Sequence, residues 1–124
     1  MAKNTMSLLS VYVGLFGGGR SSGGSPYEDP DGLLRLVSGK TETYVLVDVR
    51  TPPEFAGGHI PTAVNIPHTE IALKPPTADK AALIIVYCRS GARSSAAKET
   101  LERLGYSKVV NFGGVSKFRG KLST

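Results

Sequence analysis

The chain has 124 residues, 40% of them hydrophobic, which is enough for one domain with one modest core and leaves no room for a second. Its formal charge of +5 comes from 15 Lys and Arg scattered among 10 acids, with no basic run or aromatic ladder, so generic solubility explains it better than nucleic-acid binding. A single Cys excludes an internal disulfide, and two His with no second Cys do not make a structural zinc site.

Met6 to Phe16 is an uncharged stretch behind Lys3, too short to span a bilayer and about as long as a signal-peptide core. Gly17-Gly18-Gly19 offers small residues without an Ala-x-Ala cleavage pattern, and no Cys follows to take a lipid. Two readings stay open: an export signal, giving an exported or periplasmic protein, or a cytoplasmic protein whose N-terminal segment packs on the domain or stays mobile. Gly17 to Ser25 reads as a Gly/Ser linker, not a phosphate loop, because no Gly-Lys-Ser or Gly-Lys-Thr follows it. Residues 1–25 are therefore set apart from a folded domain over 26–124.

Asp29 is placed to cap a helix with Pro30 at its first position, running through Leu33, Leu34, Leu36 and Val37 and stopping at Gly39. Tyr44 to Val49 predicts a buried strand with the Asp48 carboxylate at its C-terminal end and Arg50 just beyond. Asp48 also has a plain reading, as an acceptor that ties down neighbouring loops. Pro52 to Ala56 allows one helical turn, and His59 to Pro67 a short strand between prolines, in which a lone His is structural more often than a base. His68 reads as a surface residue, and Lys74-Pro75-Pro76 breaks the turn begun by Ile71 and Leu73.

Ala82 to Tyr87 is a continuous apolar, β-branched run, as in a strand buried on both faces, and Cys88 ends it. Arg89, Ser90, Gly91, Ala92 and Arg93 form a short polar loop, and a helix follows over Ser95 to Leu104, with Ala97, Leu101 and Leu104 on one stripe and Gly105 as its stop. Strand, tight loop and helix N-terminus in that order make an anion receptor, and a thiolate is an anion. The helix dipole, Arg89 and Arg93 are expected to hold the Cys88 pKa below the ordinary thiol value of about 8.5. The bland alternative, a buried Cys acting as a small hydrophobe, fits poorly beside two arginines. Lys108 to Phe112 is the last strand, ended by Gly113-Gly114. The pattern predicts an α/β fold with a mainly parallel central sheet flanked by helices. In such sheets ligands bind at the C-terminal edge, where Asp48, Arg50 and Cys88 can meet.

These residues resemble the rhodanese-like, single-domain sulfurtransferases, similar to the short phage-shock-type rhodaneses. The resemblance runs from near Asp29 to Gly120. It is carried by Leu46 to Arg50, Pro53-Glu54-Phe55, Gly58-His59-Ile60-Pro61, Asn65-Ile66-Pro67, Val86 to Ser94, Gly105-Tyr106 and Asn111 to Gly114. Thr62 stands where the family usually has Gly, and Val115 where it commonly has Trp. The resemblance implies that Cys88 carries a persulfide within the amides of Arg89 to Arg93, with no cofactor and no metal. It implies a small anionic sulfur donor such as thiosulfate, and a thiophilic acceptor such as cyanide, a thiol or a thiol-bearing protein. The scattered charge gives no expectation of a nucleic-acid partner, and a monomer is the expected state, although the sequence does not fix it. Two rivals are weighed: a binding module without catalysis, and a cysteine phosphatase or arsenate reductase. The phosphatase-type loop places Arg six positions after Cys, whereas Arg93 is five after Cys88, which predicts a tighter cradle suited to a sulfur atom.

Overall fold

The computed structural model describes residues 24–124, so the apolar N-terminal stretch and nearly all of the linker expected over 1–25 lie outside the described residues. A 3-10 turn, Pro26–Glu28, leads into helix α1, Pro30–Gly39. The Asp29 carboxylate accepts from the Asp31 and Gly32 N–H groups, Pro30 takes the first position where its missing N–H costs nothing, and Lys40 closes the helix in the left-handed conformation. The apolar spacing puts Leu33, Leu36 and Val37 on the buried face.

Four strands follow: β1, Val45–Asp48; β2, Val64–Asn65; β3, Leu83–Cys88; and β4, Lys108–Gly114. They form one parallel sheet in the order β2-β1-β3-β4, with Asp48 opposite Tyr87. Helix α2, Pro52–Ala56, lies between β1 and β2, and helix α3, Ala92–Arg103, between β3 and β4.

The β-branched character of β3 is explained by its central place, since Ile84 to Cys88 are all buried. Alternate side chains serve two cores. Leu46, Ile85, Tyr87, Val110 and Phe112 pack with α1, Ile60 and Phe118 on one face. Val47, Ile84, Val86, Cys88 and Val109 pack with Ala97, Leu101, Ile71 and Tyr106 on the other. Each fully buried Leu or Ile contributes roughly 1.5–3 kcal/mol by removing apolar surface from water. The Tyr87 hydroxyl, buried inside the first core, is satisfied by the Ile60 N–H at 3.0 Å.

Some boundaries differ from expectation. Helix α3 begins at Ala92, three residues earlier than predicted, because Gly91 can serve as its N-cap. Leu104 leaves the buried stripe and is 38% exposed. Only Val64–Asn65 of the stretch from His59 to Pro67 is a strand, and His59 instead bridges Ser123 in antiparallel pairing. The His59 ring stacks on Phe55 with centroids 3.8 Å apart, and its Nδ1 lies 2.9 Å from the Phe55 carbonyl, a structural role. Thr62 adopts φ 76°, a conformation that suits the Gly usual at this position, and its hydroxyl lies 2.9 Å from that of Tyr44.

The chain runs outward from β1 to β2 and then returns to β3 on the other side of β1. The C-terminal ends of β1 and β3 therefore flank the point where strand order reverses, the place where open parallel sheets leave a ligand crevice.

Candidate active site

Cys88 is the last residue of β3, and only Arg89, Ser90 and Gly91 separate it from α3. Turning the chain from strand to helix in so few residues requires φ +104° at Gly91, where a Cβ would be strained. That conformation aims the Gly91 N–H at Cys88 Sγ, 2.9 Å away. Ser94, in the first turn of α3, places its Oγ 3.3 Å from Sγ and 3.1 Å from the Gly91 carbonyl. A hydroxyl has one hydrogen. While Cys88 is protonated, its S–H can donate to Ser94 Oγ and the hydroxyl to Gly91 O. After ionisation the hydroxyl can turn to the thiolate.

These contacts set the thiol's acidity. Burial pushes Cys88 up, while the Ser94 hydroxyl and the backbone N–H groups of Ser94, Gly91 and Ser90 pull it down, and the net shift is below the ordinary thiol value. The direction and the part played by the helix-start N–H groups match expectation; the Ser94 hydroxyl leads the lowering causes, and the two arginines are not among the leading ones.

The floor of the loop is backbone. Cys88 pairs with Gly114 after a register shift in β4, and a Cβ on Gly114 would stand 2.6 Å from the Arg89 carbonyl oxygen. Gly113-Gly114 therefore does more than end a strand: β4 runs through both residues, and the absence of a side chain at Gly114 lets the loop lie down on it. The Asn111 side-chain oxygen Oδ1 accepts from the Gly113 N–H at 2.9 Å, fixing this corner.

Two carboxylate–guanidinium pairs lie at this edge, one closing the end of β1 and one joining α2 to α3. Asp48 is fully buried and accepts from Arg50 Nη2 at 2.6 Å, Arg50 Nε at 3.0 Å and the Arg50 N–H at 2.9 Å. Arg50 Nη2 also donates to the Gly58 carbonyl at 2.7 Å, and Asn65 Nδ2 spans the carbonyls of Asp48 and Arg50. Asp48 and Arg50 thus tie the loops of the C-terminal edge together rather than contacting the sulfur. The second pair reaches the site. Arg93 Nη1 and Nη2 donate to the two Glu54 oxygens at 2.8 and 3.0 Å, and both side chains are part-exposed.

Of the residues singled out from sequence, the structure gathers Cys88, Gly91 and Arg93. It leaves Arg89, Ser90 and Ala92 exposed at the rim. Sequence reasoning missed Ser94 and Glu54 as members of the site. Ser94 could have been found as a hydroxyl in the first helical turn after the cysteine. Glu54 belongs to a Thr51-x-x-Glu54 capping box, a readable signature whose link to Arg93, 39 residues away, no local pattern reveals.

A family model described as the rhodanese-like domain matches residues 29–121. A sulfurtransferase from Allochromatium vinosum is 43% identical over 74 residues, covering 60% of this chain and 69% of that protein. The thiosulfate sulfurtransferase PspE of Escherichia coli is 41% identical over 71 residues, 56% of this chain and 68% of its own length. Among solved structures, a rhodanese with anions from E. coli superposes with a TM-score of 0.58 at 34% identity, covering 66% of this chain and 99% of that one. With a matching family model over most of its length, the fold shared with solved rhodaneses, and a cysteine at the mouth of the anion-receiving loop, this chain belongs to the rhodanese-like domain family as a sulfurtransferase of the rhodanese type.

Proposed function

We propose that the protein moves a sulfane sulfur from thiosulfate, or a donor of similar size and charge, through a persulfide on Cys88. The thiolate attacks the outer sulfur, the S–S bond of thiosulfate breaks, and sulfite leaves with the bonding pair. The product, Cys88–S–S⁻, keeps one negative charge. Cyanide or a thiolate, including one on an acceptor protein, then attacks the outer sulfur and leaves as thiocyanate or a persulfide, returning Cys88 to thiolate. In each step the sulfane sulfur moves without its bonding pair, which leaves on sulfite in the first step and stays on Cys88 in the second, so neither step needs a redox partner.

The observation that carries this reading is the cap on the sulfur. The Gly91 N–H at 2.9 Å and the Ser94 hydroxyl at 3.3 Å stabilise Sγ as the thiolate that attacks in the first step and leaves in the second. Arg89 at the rim supplies attraction for a dianion. The short loop also favours this reading over phosphoryl chemistry, because three residues between strand and helix make a small cradle. Intact mass after thiosulfate treatment tests it directly. One added sulfur, removed by a thiol reductant and absent in Cys88→Ser, is expected. An unmodified chain under conditions that load a known rhodanese would sink the reading.

A further inference from the structure

The Glu54 carboxylate is built to stay where it is and to stay ionised. Its Oε1 accepts from the Thr51 N–H and the Thr51 hydroxyl, each at 3.0 Å, while the Thr51 hydroxyl accepts from the Glu54 N–H at 3.4 Å. Both carboxylate oxygens also face Arg93, Oε1 taking a hydrogen from Nη1 and Oε2 one from Nη2. The Arg93 guanidinium beside it, followed by the Thr51 amide, holds the carboxyl well below the usual carboxylate range. The capping box alone needs only Thr51 and Glu54. A bidentate grip on a residue from the catalytic helix is additional.

Arg93 is the second residue of α3, and its positive charge interacts with Cys88 as well as with Glu54. A guanidinium released from Glu54 could turn toward the thiolate, whose charge it already feels from the first turn of α3. Pairing to a thiolate lowers its pKa but also its nucleophilicity, since reactivity falls as the thiol becomes more acidic. We propose that Glu54 is a positioning residue for sulfur transfer: its carboxylate holds Arg93 back from Cys88 and offsets the guanidinium charge, so that Ser94 and the loop amides govern the thiolate. This rests on the reading that Cys88 carries the transferred sulfur. The charged groups around Cys88 come from every side of the site: Arg89 in the loop, Arg93 in α3, Glu54 in α2, and the mutually paired Asp48 at the end of β1 and Arg50 just beyond it. Lys117, beyond β4, donates to the Phe112 and Glu28 carbonyls.

The proposal predicts opposite effects from the two halves of one ion pair. Glu54→Gln keeps an oxygen for Thr51 and so keeps the helix cap, but releases Arg93. Arg93→Met keeps the apolar stem and leaves Glu54 as a lone anion. The measurement is the pH profile of iodoacetamide alkylation of Cys88 in the full chain, which needs no sulfur transfer and therefore reads this proposal separately from the persulfide mass test. Glu54→Gln should move the half-point down by about half to one pH unit, Arg93→Met should move it up by a similar amount, and the double variant should return near the parent value. Arg93→Lys, which keeps the charge, should shift it less than Arg93→Met and guards against a fold defect in the Met variant. Shifts of the same sign in both single variants, or no shift in Glu54→Gln with circular dichroism intact, would overturn the proposal and leave Glu54 a purely structural cap.

Discussion

Helices α1 and α3 begin in opposite ways. The first turn of α1 is closed by its own carboxylate, Asp29, which accepts from two backbone N–H groups. The first turn of α3 has Gly91 at its cap, no side-chain cap bond and no acidic residue. Both helices present unpaired donors and the positive end of a dipole. In α1 that potential is used up locally in stabilising the helix. In α3 it is left for an anion just before the helix: Cys88 Sγ accepts from the Gly91 N–H and faces the backbone N–H of Ser94, one of the donors a capping Asp oxygen would take. A missing cap at a buried helix start is thus a positive sign of chemistry, provided that an ionisable group faces it.

The comparison can be broken or sharpened by substitution, taken here in order of effect on turnover. Cys88→Ser keeps a polar atom at the α3 cap but removes the sulfur nucleophile. Thiosulfate-to-cyanide turnover should fall roughly a thousandfold or more, with an unchanged circular dichroism spectrum. Residual activity near the parent would mean that the α3 terminus is no more catalytic than that of α1. Gly91→Ala forces a Cβ into φ +104°, at a cost of about 1–3 kcal/mol, and tilts the N–H that meets Sγ. A tenfold to hundredfold loss of turnover, roughly, is expected with the lower melting temperature. Loss of stability alone would show that this amide does not serve the thiolate.

Ser94→Ala removes the leading hydrogen bond that favours the charged sulfur, so the alkylation half-point of Cys88 should rise, by about one pH unit. The sign fixes where the defect appears. Below the parent's half-point the rate should drop by up to about tenfold, and well above the variant's half-point the two proteins should converge. A uniform loss across the whole range would point to misplacement of the loop instead. Asp29→Ala is the counterpart in α1, with the smallest effect on chemistry. It should lower stability by about 1 kcal/mol, a melting shift of several degrees, and leave turnover alone. Reduced turnover in a folded Asp29→Ala protein would show that the two helix starts are energetically linked.

Where the sequence was informative, it was local. Asp29-Pro30, the spacing of Leu33, Leu36 and Val37, and Gly39 together gave α1 to the residue. The Val- and Ile-rich runs gave the strands, because a parallel strand covered on both faces cannot hide its composition. The start of α3 was misplaced because Gly91, Ala92 and Arg93 read as loop chemistry, and nothing local shows that a glycine at positive φ compresses the loop to three residues. The tertiary contacts were the hardest to see. Gly114 beneath Arg89 and Glu54 against Arg93 depend on which strands become neighbours, and no window of the chain contains both partners. Asp48 left two readings open, a group at the ligand edge or an acceptor tying down loops, and its full burial against Arg50 favours the second.

The contact of the loop with Gly114 constrains how such a site can diversify. The underside of the loop is packed backbone on backbone, so almost any replacement at Gly114 would lift Arg89 and dislodge the sulfur cradle with it. The upper side carries no such restriction, since Arg89, Ser90 and Ala92 are exposed. Descendants of this chain could therefore exchange one sulfur donor for another by altering three outward residues, while the geometry that makes the sulfur reactive passed unchanged from one specificity to the next.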